Sequence, residues 1–410
     1  MAINLKQIRN LLKEHGQEHL LKYYDELDDK GKKRLLTQIA GLDFSVVELG
    51  KSGKGEAPRG KISPLSAMEL PEIEEKKETF RKIGLEAIRN TKAGAVMLAG
   101  GMGTRLGSDN PKGMYDIGLT KHVYIFERLI DNLMDVVNEA GCPVPLFIMT
   151  SDKNDKATRA FFKEHKCFGY DPSYIHFFIQ ELAPATDYDG KIYLEQKDKV
   201  STSPNGNGGW YSSMAKCGIL DKVKDYGIEW LNTFAVDNVL QRIVDPVFVG
   251  ATIDANAAVG AKVVRKAAPD EKVGVICLED GRPSIVEYYD LTEELMNTKD
   301  DRGEPAYNFG VILNYLFRVT ELEKIRSRKM PLHVVEKKIP CLDENGNPVK
   351  PEAPNGFKYE TLVLDMIHLA SSCLPFEVVR EREFAPIKNK TGVDSVESAR
   401  KLCQDLGIEL

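Results

Sequence analysis

The chain has 410 residues, of which 42% are hydrophobic and 29% charged, proportions that fit a globular protein with a sizeable core. A formal net charge of −6 argues against nucleic acid or an anionic membrane as the main partner. Seven cysteines are scattered without a C-x-x-C pair, which fits reduced thiols rather than a disulfide framework or a zinc site. No apolar stretch approaches the length of a membrane span, and Met1 to Asn10 holds no apolar leader core, so a cytoplasmic protein is expected.

Residues 1 to about 45 place Ile8, Leu11, Leu12, Leu20, Leu21, Tyr24 and Leu27 at three- and four-residue spacings, which predicts helices. Within them His15-Gly-Gln-Glu18-His19 matches the H-x-x-E-H zinc-peptidase pattern, but Gly16 weakens the helix such a site needs. Lys51 to Gly60 is rich in glycine and lysine and reads as a linker. A helix pattern from about Pro71 to Thr91 leads into the apolar run Ala95-Val96-Met97-Leu98, a buried strand of a parallel sheet. Gly100, Gly101, Gly103 and Gly107 follow at close spacing, with Arg105 among them and Lys112 in Pro111-Lys112-Gly113. Glycines after a buried strand let the backbone turn and approach a ligand, and successive N–H groups in such a loop cradle an anion. The third glycine comes too late for a dinucleotide G-x-G-x-x-G, and no G-K-[ST] opens a helix as a Walker loop requires.

A helical run from Tyr124 to Asn138, a strand from Leu146 to Met149, a polar helix after Ser151 and a strand from Ile175 to Ile179 come next. That alternation predicts an α/β domain with a mixed, mostly parallel sheet flanked by helices, its ligands at the carboxyl ends of the strands. Ser203-Pro-Asn-Gly-Asn-Gly-Gly209 is a second glycine-rich loop. The strand Trp230 to Val236 ends in Asp237-Asn238, where an acid is placed either to hold Mg2+ against phosphate oxygens or to cap a helix. Val273-Gly274-Val275 and Ile285-Val286-Glu287-Tyr288 read as paired strands turning at Asp280-Gly281, with Asn308 before a helix pattern from Val311 to Leu322. Glu287 and Asn308 are either strand-edge polar residues or partners for sugar hydroxyls. Lys358 and Lys388 each follow a proline-marked turn.

Strand–GGxGTRLG–PKG resembles the signature of the sugar-nucleotide pyrophosphorylases, and the extension Met114 to Leu119 narrows this to the eukaryotic-type UDP-N-acetylglucosamine pyrophosphorylases. SPNGNGG, VDN, IVEYYDL and FAPIKN continue the resemblance in the family's order from about Gln17 to Lys388. It implies a Rossmann-like nucleotidyltransferase fold and an enzyme making UDP-N-acetylglucosamine and pyrophosphate from UTP and N-acetylglucosamine 1-phosphate. By that resemblance Leu98, Ala99, Gly100, Gly101, Gln180 and Gly206 hold the uridine, while Arg105 and Lys112 neutralise the β- and γ-phosphates. Asp237 carries Mg2+ beside the nucleotide. Asn207, Gly274, Glu287, Tyr288 and Asn308 surround the amino sugar, and Lys358 and Lys388 meet the α-phosphate and the sugar phosphate.

The implied organisation is a helical region and linker over residues 1–60, a catalytic domain over 61–390 and a short residual segment over 391–410. Met102 stands where the family often has glutamine, and Trp210 where leucine is usual. The family's C-terminal β domain is mostly absent, which implies a monomer. Glucose 1-phosphate, galactose 1-phosphate and N-acetylgalactosamine 1-phosphate remain alternative substrates.

Overall fold

The apolar run before the glycine loop forms a strand, Ala93–Leu98, buried at every position. The structure, a computed structural model, describes residues 4–47 and 59–410. The chain divides into a larger unit of Arg59–Gln180, Trp210–Lys329 and Leu364–Leu410, and a smaller unit of Met1–Pro58, Glu181–Gly209 and Met330–Val363. These contact-defined units are interleaved in sequence and do not follow the expected divisions at residues 60 and 390. Of the expected linker, residues 51–58 lie outside the described residues, and Gly60 is anchored through its N–H to Glu279 at 2.9 Å. The segment 391–410 is integral, because its helix Val396–Asp405 puts Val396, Ala399 and Cys403 into the larger unit's core.

The larger unit holds a ten-stranded sheet. Its strands are β1 Ile62–Pro64, β2 Ala93–Leu98, β3 Leu146–Thr150, β4 Ile175–Ile179 and β5 Trp230–Ala235, then β6 Val259–Arg265, β7 Val275–Glu279, β8 Arg282–Val286, β9 Phe309–Arg318 and β10 Cys373–Glu377. β2 pairs in parallel with β5 and β3, and β3 with β4. Beyond β5 the pairing is antiparallel: β9 joins β5, β6 and β7, and β7 joins β8 and β1, while β6 and β10 form a further parallel pair. The mixed sheet flanked by helices is the expected architecture, with its main parallel block centred on β2. β2, β3 and β5 all finish on one edge. β9 runs against β5, so its amino end, after Asn308, lies on that same edge.

One element departs from the sequence pattern. Residues 311–318, expected in a helix, belong to β9, and the helix Val319–Arg326 starts only afterwards. Val-Ile-Leu-Asn-Tyr-Leu-Phe is apolar but for Asn314, and its period does not separate a helix from a strand largely buried on both faces. Here the antiparallel ladders with β5 and β6 decide it.

The helix Ile125–Ala140 shows how the sequence sets an element. Ile125, Phe126, Leu129, Ile130, Leu133 and Val136 line one buried stripe, and Gly141 ends the helix at φ 75°. Two other helices, Leu70–Arg89 and Pro246–Asp254, touch backbone to backbone. A Cβ on Gly84 would stand 1.9 Å from the Pro246 oxygen, and one on Gly250 1.8 Å from the Phe80 oxygen. Both glycines are there to let the helices close. Gly250→Ala should therefore cost about 1–3 kcal/mol through forced separation. Chemical denaturation checks this, and an unchanged midpoint would show that the pair tolerates separation.

In the smaller unit, the helices Leu5–Glu14 and Asp29–Ala40 share a core with Ala183, Ile192, Val200 and Tyr359. Strands His333–Lys337 and Gly356–Glu360 pair antiparallel beside it.

Candidate functional site

At the end of β2 the ladder stops but the backbone groups do not all find partners. Ala99 N–H donates to Met149, and Leu98 oxygen accepts from Val236 N–H. Asn154, wholly buried, donates its Nδ2 to the oxygens of Ala99 at 2.9 Å and Gly101 at 3.3 Å, and its own Oδ1 accepts from Ser151 N–H at 2.7 Å. Gly101 oxygen also accepts from Lys112 N–H at 3.1 Å. The carbonyls of Ala99 and Gly101 are thus held by the protein, while the N–H groups of Gly100, Gly101 and Met102 have no partner among the described residues. Successive unpaired N–H groups make a concave, electropositive edge. Of the residues expected to hold uridine, Gly100 and Gly101 are the ones with backbone donors to offer. Gln180 lies across Gly100, its Oε1 2.8 Å from where a Cβ would be.

The loop continues through a single turn, Thr104–Leu106, which exposes Arg105 to solvent, and reverses at Gly107 with φ 71°. Gly103 N–H donates to the Asn110 oxygen at 2.8 Å, closing the loop on Pro111. Lys112 then points its ammonium at Asp237 Oδ2, 3.2 Å away. Both side chains are partly open, at 17% and 23% exposure. Asp237 stands just beyond β5 on the edge where β2 also ends.

Lys388, distant in sequence, comes to the same place. Ile387 N–H donates to the Asp237 oxygen at 2.9 Å, and Ala385 N–H to Asn238 Oδ1 at 2.9 Å. The strap Phe384–Lys388 is thereby laced to the Asp237 turn. Lys388 Nζ pairs with Asp394 Oδ2 at 2.9 Å, an open pair at 43% and 26% exposure. Lys390, which the sequence reading did not single out, lies against the glycine loop. Its Nζ is 2.8 Å from where a Cβ on Gly107 would be.

Farther along the sheet, Val275 pairs with Val286 on one side and Gly310 on the other. Gly274 and Glu287 therefore face each other across the hairpin, the Glu287 Oε2 3.6 Å from where a Gly274 Cβ would be. Glu287 and Tyr288 lie past the strand end and not inside it, in a turn closed by Asp290 N–H on the Glu287 oxygen at 2.9 Å. Tyr288 is 40% exposed, with its ring packed edge-on against Tyr289. Asn308, just ahead of β9, accepts from Lys266 N–H at 2.8 Å.

In the smaller unit, Gly206 sits at φ 87°, and a Cβ there would run into the Thr361 oxygen at 2.1 Å. Asn207 Oδ1 accepts from Val363 N–H at 2.9 Å, so the amide nitrogen is the part of that side chain pointing elsewhere. Lys358 lies within the strand Gly356–Glu360 and not at a turn, opposite Val335. The H-x-x-E-H histidines go to packing: His15 stacks on Phe44 at 4.6 Å, and His19 Nε2 bonds the Ile192 oxygen at 2.8 Å. Burial pushes the His19 imidazole below the usual histidine range. Among the described residues no group of three histidine, cysteine, aspartate or glutamate side chains gathers as a metal cage.

The model of the UTP–glucose-1-phosphate uridylyltransferase family matches residues 54–403. The chain belongs to this family. It is 37% identical over 412 residues to UDP-N-acetylhexosamine pyrophosphorylase-like protein 1 of Mus musculus, covering 95% of this chain and 81% of the relative. It is 36% identical over 418 residues to UDP-N-acetylglucosamine diphosphorylase 2 of Arabidopsis thaliana, covering 95% and 82%. The crystal structure of the UDP-N-acetylglucosamine pyrophosphorylase of Trypanosoma brucei, solved with an inhibitor, matches with a TM-score of 0.81 at 27% identity, covering 97% of this chain and 84% of that one.

Within this uridylyltransferase family signature, the structure separates residues that build the loop from those that face outward. Asp116 accepts from Gly118 N–H at 2.8 Å and Val123 N–H at 3.1 Å, so the MYDIGL segment is a folded turn. Burial opposes its charge, but these bonds and the one from His122 hold the Asp116 carboxyl below the usual carboxylate range. Gly113 is a packing residue, since a Cβ there would enter the Phe126 ring at 2.3 Å. Gly101 is different. Its φ is not left-handed and a Cβ would meet nothing within 4 Å, so none of the described residues requires glycine there. A side chain there would occupy the space above the unpaired N–H groups. Gly101→Val should unfold at the wild-type midpoint yet weaken binding of a nucleoside triphosphate by about tenfold or more. Gly113→Ala should lower the midpoint. Calorimetric unfolding and binding on both variants test the contrast, and a destabilised Gly101→Val would return Gly101 to an architectural role.

Proposed function

We propose that the chain catalyses attack of N-acetylglucosamine 1-phosphate on the α-phosphorus of UTP, releasing UDP-N-acetylglucosamine and pyrophosphate. The observation that carries this reading is the run of N–H groups at the end of β2, without partners among the described residues, with the Lys112–Asp237 pair beside it. The whole-length relatives named for this amino sugar support it. A sugar phosphate is already anionic near neutral pH, so its attack needs no general base. The obstacle is bringing two polyanions together and stabilising charge on the departing pyrophosphate. Preorganised donors and fixed cations meet that need.

Asp237 suits Mg2+, which is held by one or two carboxylates while substrate phosphates fill its other positions. Bound there, the ion supplies charge neutralisation between the phosphates. The chain's own residues do the rest. Gly100 and Gly101 N–H groups and Gln180 orient the nucleotide, Arg105 and Lys112 face the β- and γ-phosphates, and Lys388 faces the junction with the incoming sugar phosphate. Glu287 and Asn308 receive sugar hydroxyls at the same edge. Lys388 is tied to Asp394 by an open pair of the kind worth less than about 1 kcal/mol, so a phosphate displaces it at little cost.

A second reading takes glucose 1-phosphate as substrate, favoured by the description of the matched family model. Incubation with UTP, Mg2+ and a panel of sugar 1-phosphates separates the two through pyrophosphate release. Greatest turnover with N-acetylglucosamine 1-phosphate is expected, and a preference for glucose 1-phosphate selects the alternative.

Asp237→Asn should keep the fold and lose most Mg2+-dependent turnover, because an amide is a poorer ligand for a hard cation. A native rate with unchanged Mg2+ dependence would remove Asp237 from the metal site. Lys388→Ala should cut kcat by about a hundredfold while UTP affinity changes by less than about tenfold. Lys112→Ala should weaken UTP binding as well. Equal loss of UTP binding in both variants would mean that the two lysines share one role.

A further inference from the structure

Lys262 lies in the middle of β6 with no exposed surface. Its ammonium donates to Glu383 Oε2 at 2.5 Å and to the Arg242 main-chain oxygen at 3.0 Å, and stands 3.4 Å from Asp245 Oδ2. None of these groups belongs to the substrate-facing set described above. A buried ion set of this kind is often no more stabilising than a well-packed apolar replacement. Its location gives it another use.

The partners of Lys262 are the roots of the two segments that form the phosphate side of the site. Arg242 and Asp245 end the turn that begins at Asp237, and Glu383 immediately precedes the Phe384–Lys388 strap. Arg242 N–H donates to Glu383 Oε2 at 3.2 Å. One step closer to the site, Asn238 Nδ2 donates to the Glu383 oxygen at 2.7 Å and its Oδ1 accepts from Ala385 N–H. One step further, Ile387 N–H reaches the Asp237 oxygen. A continuous set of hydrogen bonds therefore runs from Lys262 to the backbone of Asp237 and of the residue before Lys388.

We propose that Lys262 is a positioning residue, which clamps Glu383 and the Arg242–Asp245 turn together and thereby sets where Asp237 and Lys388 stand relative to each other. It touches neither reacting group. The assignment rests on the reading of Asp237 and Lys388 as phosphate-side residues, and it separates from a purely stabilising role by one criterion. If the ion set only stabilises, a charge-balanced neutral replacement restores folding and turnover together. If it positions, folding returns and turnover does not.

The test uses the full chain as Lys262→Met, Glu383→Gln and the double variant Lys262→Met/Glu383→Gln. Asp245 keeps Arg242 and the Val247 N–H as partners in every case. Lys262→Met alone strands the Glu383 carboxylate and is expected to be the least stable. The double variant should recover its thermal midpoint and bind UTP within about threefold of wild type. Its kcat should remain lower by about tenfold to a hundredfold, as for a small misplacement of catalytic groups. Amide exchange in peptides covering 384–390 should be faster than in wild type. Wild-type kcat in a folded double variant overturns the proposal, and Glu383→Gln, which leaves Lys262 with Asp245, applies the same criterion if the double variant does not fold. A wild-type protein inactive on every sugar 1-phosphate defeats the catalytic reading instead, and unchanged exchange over 384–390 then overturns the clamp on its own.

Discussion

The end of β2 imposes the constraint that the rest of the larger unit answers. A buried strand delivers its last residues to the sheet edge, and there the chain satisfies the oxygens of Ala99 and Gly101 while three consecutive N–H groups find no partner among the described residues. Unpaired donors near a protein interior are costly unless water or a ligand reaches them. They must also stay in place, since a loop free to move would pair them internally. Asn154, the Gly103–Asn110 contact and the Phe126 ring under Gly113 each remove one way for the loop to collapse. The loop's carbonyls are hydrogen-bonded and its amides are without partners among the described residues, which gives it a polarity that no single residue carries.

Around that edge the charged residues arrive on separate elements. Lys112 returns from the same loop, Asp237 ends β5, and the strap that carries Lys388 is laced to the Asp237 turn by hydrogen bonds through Asn238 and Ile387. The parallel block makes this convergence possible because β2, β3 and β5 share a direction. The antiparallel β9 extends it, since its reversed course brings an amino end to the edge where its neighbours bring carboxyl ends. The sugar-facing candidates at the β7–β8 hairpin and before β9 follow from that reversal.

The sequence disclosed the parts of this arrangement that depend on local chemistry. A buried apolar run, its glycines, and an acid after a second apolar run are written in adjacent residues, and those elements fall where the pattern places them. Residues 311–318 did not disclose themselves, because an apolar run buried on both faces carries no period and only the pairing with β5 and β6 makes it a strand. The interleaved units were hidden for a similar reason: Glu181–Gly209 and Met330–Val363 join the amino-terminal helices through long-range packing around Tyr359 and Ile192. Asn154 and Lys390 lacked any motif, and their relevance comes from what they touch. Gly113 and Gly101 look equivalent in sequence, and only the presence or absence of a neighbour tells architecture from ligand space.

Two ion pairs at this edge differ in how far they are enclosed. Lys112, Lys388 and Lys390 bring three cations to the segments that meet at this edge. Asp237 and Asp394 each hold one lysine, at 3.2 Å and 2.9 Å. The two pairs differ in exposure. Lys112–Asp237 is the more enclosed, so it is less screened and more dependent on a replacement charge when it opens. The enclosed Lys112–Asp237 pair is therefore held more firmly than the exposed Lys388–Asp394 pair.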